Sequence, residues 1–191
     1  MKKLKNKRRA KLNIPALILI SIILFLVFAL LYFLQTNIFP LIPISGITPN
    51  LFVIFILIIG LFGNNFLAIL FGIITGMFID LTYNEIVGIT PAMLCLVGFI
   101  ATWFDSLWSK DEKISIIIMV ALSTFIFELG SYFIKSITLD FEIELGVFFK
   151  ILFWEEIYNI LLTIIFFGLI KKLGYMMERK LKRSNMYSVE L

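Results

Sequence analysis

The sequence contains no histidine and only one cysteine, Cys95, among 191 residues. Zinc centres are built from histidine and cysteine, so a structural or catalytic zinc site is disfavoured. A lone thiol permits no intrachain disulfide, and Cys95 lies in an apolar run where a buried small hydrophobe is the expected role. No Walker loop or dinucleotide fingerprint is present, and the glycines near residue 72 do not follow a strand. Charge is sparse as well. Charged residues make up 16% of the chain, against roughly 25% in a soluble domain.

What is abundant is apolar. Hydrophobic residues account for 61%, phenylalanine alone for 21 positions, and mean hydropathy is +1.03. A soluble domain of this length has too little interior to hide that surface. The composition therefore predicts an all-α polytopic membrane protein. Six segments are expected, over residues 14–34, 48–62, 66–80, 90–104, 114–134 and 147–170. Residues 1–13 form a basic tail ahead of them and residues 171–191 a second one behind. The first run is long for a signal-peptide core and no small-x-small site follows it, so a retained helix is expected. Thr48 is the expected N-cap of the second segment, with Pro49 at the first helical position. The link from Gln35 to Gly46 is hydrophobic enough to lie at the membrane interface.

Charge selects the topology. The second and third segments could be one broken pass, giving five crossings. With six crossings and the N-terminus inside, 15 of the 17 lysines and arginines fall on the cytoplasmic side. The link from Ser136 to Gly146 then lies outside and has no basic residue, as the positive-inside rule requires. Five crossings would place one basic tail outside. Both termini are therefore expected in the cytoplasm, and the basic tails are expected to attract anionic lipid.

Two groups of residues stand out. Gly72, Gly76 and Asp80 are spaced by four and share one helical face, with Gly88 shortly after. The glycines permit close backbone approach in lipid. Asp80, at the end of its segment, needs a partner, either a backbone N–H of the following loop or a basic group on another protein. The second group is Lys150, Glu155, Glu156, Tyr158 and Asn159 in the last segment. Glu155 and Asn159 share a face, whereas Glu156 projects about 100° away. Glu128 in the fifth segment is the natural group to share a proton or hydrogen bond with one of these acids. Paired acids suggest proton transfer, but no nucleophile or basic partner stands at helical spacing.

These motifs carry a resemblance. Pro49-Asn50-Leu51 at the start of the second segment, Gly72-x-x-x-Gly76-x-x-x-Asp80-Leu81 with Gly88, and Tyr158-Asn159 in the last segment resemble the MreD family of rod-shape (cell elongation) membrane proteins. Length, segment order and basic tails agree across essentially the whole chain. Glu155-Glu156 departs from the family, which often has proline or apolar residues there, and the N-terminal tail is longer and more basic.

The resemblance implies a non-enzymatic subunit without cofactor that associates with MreC. Through MreC it would be linked to MreB filaments, the glycosyltransferase RodA and a penicillin-binding transpeptidase. It also implies an architecture similar to the substrate-binding components of energy-coupling-factor transporters. Under it, Gly72, Gly76 and Gly88 are helix-packing residues, and Pro49, Asn50, Asp80, Tyr158 and Asn159 are partner or helix-end contacts. Glu128, Lys150, Glu155 and Glu156 are intramembrane polar groups. The alternative is a small-molecule carrier or transporter subunit, favoured by midplane polar residues.

Overall fold

Six α-helices are present in the structure, a computed structural model that describes residues 14–83, 86–107, 109–140, 142 and 144–186. They are α1 (Ile14–Phe33), α2 (Leu51–Phe62), α3 (Asn65–Tyr83), α4 (Ile89–Leu107), α5 (Lys113–Leu139) and α6 (Leu145–Met186). The basic tail at 1–13 and residues 187–191 lie outside the described residues. The stretches containing α1, α3, α5 and α6 are long and apolar enough to cross a membrane, whereas α2 and α4 are shorter apolar helices. Large apolar side chains such as Phe25, Leu26, Phe66, Phe99 and Ile165 are exposed around the bundle. Only a surrounding apolar medium makes that outer surface stable.

The centre is α2. It is 12 residues long, about 18 Å at 1.5 Å per residue. Eleven of its residues are buried, and it touches each of the other five helices. A helix apolar on all faces belongs in a core, which is where α2 sits. Its start is displaced from the expected one. Thr48 and Pro49 precede the helix, and the N-cap is Asn50, whose Oδ1 accepts the Val53 N–H at 3.3 Å. Gln35 holds the same end, donating to the Pro49 carbonyl at 2.6 Å and accepting the Leu51 N–H at 3.2 Å.

The link before α2 is ordered against the bundle. A π-helical turn (Leu34–Ile38) and a 3-10 turn (Phe39–Leu41) continue from α1. Phe39 packs edge-on against Tyr158, whose hydroxyl donates to the Ile42 carbonyl at 2.8 Å.

Four helices run further than the apolar runs suggest. The expected ends are Asp80, Phe104, Ile134 and Ile170, and the observed ones are Tyr83, Leu107, Leu139 and Met186. Lys135 and Lys171 interrupt the apolar runs, but a backbone ladder does not stop at a charge. α5 ends where Asp140 takes a left-handed conformation at φ +50°. Much of the expected C-terminal tail is therefore the last turns of α6. Gly174 and Tyr175 pack on Phe62, at the end of α2.

The α2–α3 end of the bundle is clamped by charge. Lys110 donates to the Leu61 carbonyl at 3.0 Å and pairs with Glu178 at 3.5 Å. Lys171 and the Tyr175 hydroxyl both reach Asp111.

Candidate functional site

The α3–α4 hairpin shows what the glycine stripe does. Down α3, Ala68 meets Gly98, Gly72 meets the backbone of Leu94 and Cys95, and Gly76 meets Pro91. A Cβ at Gly72 would lie 3.1 Å from the Cys95 nitrogen, and one at Gly76 would overlap the Pro91 backbone. The missing side chains thus bring two backbones together, with Cys95 half-buried at the same seam.

Gly88 departs from the packing role. It is exposed and nothing lies within 4 Å of the position its Cβ would take. Its φ of +115° is what requires glycine.

That conformation presents the Gly88 N–H to Asp80. Asp80 Oδ2 accepts from the Gly88 N–H at 2.8 Å and from the Thr90 N–H at 3.2 Å. The carboxylate stands one turn before the end of its own helix and at the start of α4. A negative charge is poorly placed at the end of α3 but well placed at the N-terminus of α4, where free N–H groups gather. Asp80 is only 1% exposed, so its carboxylate offers no face to another protein. Of the two partners expected for it, the loop N–H is the one the geometry supplies.

The second group assembles around the start of α2. Asn159, fully buried on α6, accepts the Asn50 backbone N–H on Oδ1 at 2.8 Å and donates Nδ2 to Thr124 at 3.0 Å. Its carbonyl takes the Thr163 hydroxyl at 2.7 Å. Glu128, half-buried on α5, and Glu155, buried on α6, stand close enough to act on each other electrostatically, and Glu155 Oε1 has no hydrogen-bond partner. Glu156 is half-buried with Oε2 unpartnered. Lys150 departs from the group, lying on the exposed side of α6. Sequence reading did not single out Gln35, Thr124, Thr163 or Lys135. The first three are ordinary polar residues whose partners are distant in the chain, and Lys135 looked like a helix end.

The two groups border one cavity of about 210 Å³, lined by Asn50, Phe52, Ile79, Thr90, Leu94, Phe127, Glu128 and Lys135. Thr90 is fixed by Asp80 and Asn50 by Asn159, so motifs far apart in sequence hold residues that line the same space. No cluster of acidic and cysteine residues suited to a metal ion occurs among the described residues. The arrangement can hold a small polar group in an otherwise apolar surround.

Comparison with known proteins gives one match. No curated protein and no solved structure matches this chain. The family model described as rod shape-determining protein MreD matches residues 16–176, which include the glycine stripe, Asp80, the Asn50 cap and the Tyr158-Asn159 pair. The chain belongs to the MreD family, whose members are integral membrane proteins of the cell-shape system.

Proposed function

We propose that this protein is a non-enzymatic scaffold of the rod-shape (peptidoglycan elongation) complex in the bacterial cytoplasmic membrane. It associates with an MreC-like protein and through it with MreB, RodA and a penicillin-binding transpeptidase. The family match over residues 16–176 carries this reading. The internal use of Asp80, Asn50 and Asn159 supports it, since these groups hold helix ends in place. In this reading all six helices cross the membrane and both termini are cytoplasmic. The α3–α4 and α5–α6 links face outward, and the overall architecture resembles the substrate-binding components of energy-coupling-factor transporters. The exposed Lys172, Arg179 and Lys180 on α6 then face anionic lipid.

Depletion in a rod-shaped host is expected to give rounded cells. Photo-crosslinking from exposed positions at helix ends, such as Leu81 and Ile42, is expected to capture the MreC-like partner. Unchanged shape together with no captured partner would sink the scaffold. A carrier function has the cavity in its favour. At about 210 Å³ the cavity is smaller than the roughly 300–1,000 Å³ of most small-molecule sites, so the scaffold is preferred.

A further inference from the structure

The cavity is lined by two opposite charges that act on each other electrostatically but form no ion pair. Glu128 and Lys135 both line it from α5, seven residues apart, which is two turns or about 10 Å along the axis. Among the described residues Lys135 forms no hydrogen bond and no ion pair. The acid end has acceptor capacity to spare. Glu155 is 6% exposed with Oε1 unpartnered, and Glu156 beside it is half-buried with Oε2 unpartnered. The other side chains lining the cavity include the apolar Phe52, Ile79, Leu94 and Phe127.

Buried or half-buried charges without partners are unfavourable, more so in an apolar surround. A single anion would satisfy Lys135 and be repelled by the acids. A single cation would do the reverse. A group carrying both charges a few bonds apart serves both ends, and its short carbon link suits the apolar walls. The acids require N–H donors, which a primary ammonium has and a quaternary ammonium lacks. The volume admits a head group of a few heavy atoms and excludes anything the size of a nucleotide.

We propose that this cavity is a binding site for a small zwitterion, a primary ammonium joined by a short link to a phosphate or carboxylate. The ammonium lies at Glu128 and the anion at Lys135. An aminoethyl phosphate group has this chemistry, whether free or as the head of a phosphatidylethanolamine. The site goes beyond the scaffold role and does not depend on any partner protein.

The test uses the purified full-length protein. Its thermal midpoint is followed in detergent against O-phosphoethanolamine, phosphocholine, ethanolamine and inorganic phosphate, and in nanodiscs containing phosphatidylethanolamine or phosphatidylcholine. A saturable rise is expected with the primary-amine zwitterion and not with the other three soluble compounds. A rise with the free head group identifies a soluble ligand; a rise confined to phosphatidylethanolamine nanodiscs identifies the lipid. Lys135→Met removes no hydrogen bond or ion pair among the described residues and should weaken binding about tenfold or more, with Glu128→Gln doing the same. The site is overturned if neither form of the head group gives a saturable shift, or if Lys135→Met responds like the wild type. Because binding is read on the isolated chain, a null result there leaves the cell-shape and crosslinking test of the scaffold untouched.

Discussion

Asn159 and Asn50 are 109 positions apart, yet the side-chain oxygen of one accepts the backbone N–H of the other at 2.8 Å. Asn159 lies fourteen residues into α6, about 21 Å along its axis, so α2 begins well inside the bundle. A helix start leaves unpaired N–H groups, and deep in an apolar protein no water serves them. Asn159 takes one, Gln35 a second and the Asn50 side chain a third. Asn159→Ala is therefore expected to cost about 1–3 kcal/mol through an unsatisfied buried donor. Thr124→Val, which removes only the distal partner, should cost less. Thermal unfolding of the two variants in detergent checks the order.

Asp80→Ala removes the acceptor shared by the Gly88 and Thr90 N–H groups. We expect a loss of about 1–3 kcal/mol and faster proteolysis at the α3–α4 link. Asp80→Asn keeps one oxygen acceptor and should lie between the wild type and Asp80→Ala. An Asp80→Ala variant as stable as the wild type, but unable to retain its partner in cells, would restore a docking role.

The two glycine types should fail differently. Gly76→Ala places a methyl against the Pro91 backbone and is expected to cost about 1–3 kcal/mol by forcing α3 from α4. Gly88→Ala meets no neighbour, and its cost, about 1–3 kcal/mol, comes from a φ of +115° that side chains avoid. Cysteine crosslinking across the α3–α4 seam separates the cases, since only Gly76→Ala should change its efficiency.

Acid should loosen the α2–α3 end. The Tyr175 hydroxyl first, and Lys171 beside it, hold the Asp111 carboxyl below the usual carboxylate range. A depressed acid contributes stability above its unfolded pKa, and that contribution is lost as pH falls through the lower folded value. The thermal midpoint should accordingly drop on the acid side of about pH 4. Tyr175→Phe should shrink that dependence, measured as the difference between midpoints at neutral and acid pH.

How much of this was legible depended on distance along the chain. The Gly72, Gly76 and Asp80 stripe was readable because spacing by four fixes a shared face before any folding is known. That Asp80 serves α4 was half-readable, since Gly88 and Thr90 follow it closely in sequence. The Asn50 cap was misplaced by two residues because Thr48-Pro49 is itself a good helix start. What overrode it was Gln35, which holds the Pro49 carbonyl outside the helix. The ends of α5 and α6 were misjudged because hydropathy reports the apolar run, whereas helices continue until the backbone turns away.

By itself the sequence determined the membrane class, the six helices and the two sets of polar residues. Those features rest on composition and on periodicities of a few residues, which are local properties. Only the tertiary structure decided that α2 is the buried axis, that Asp80 faces inward, and that Glu128 and Lys135 share a cavity with Asn50. Each of those relations depends on which side chains meet across helices, and a hydrogen bond spanning a hundred residues leaves no spacing to read.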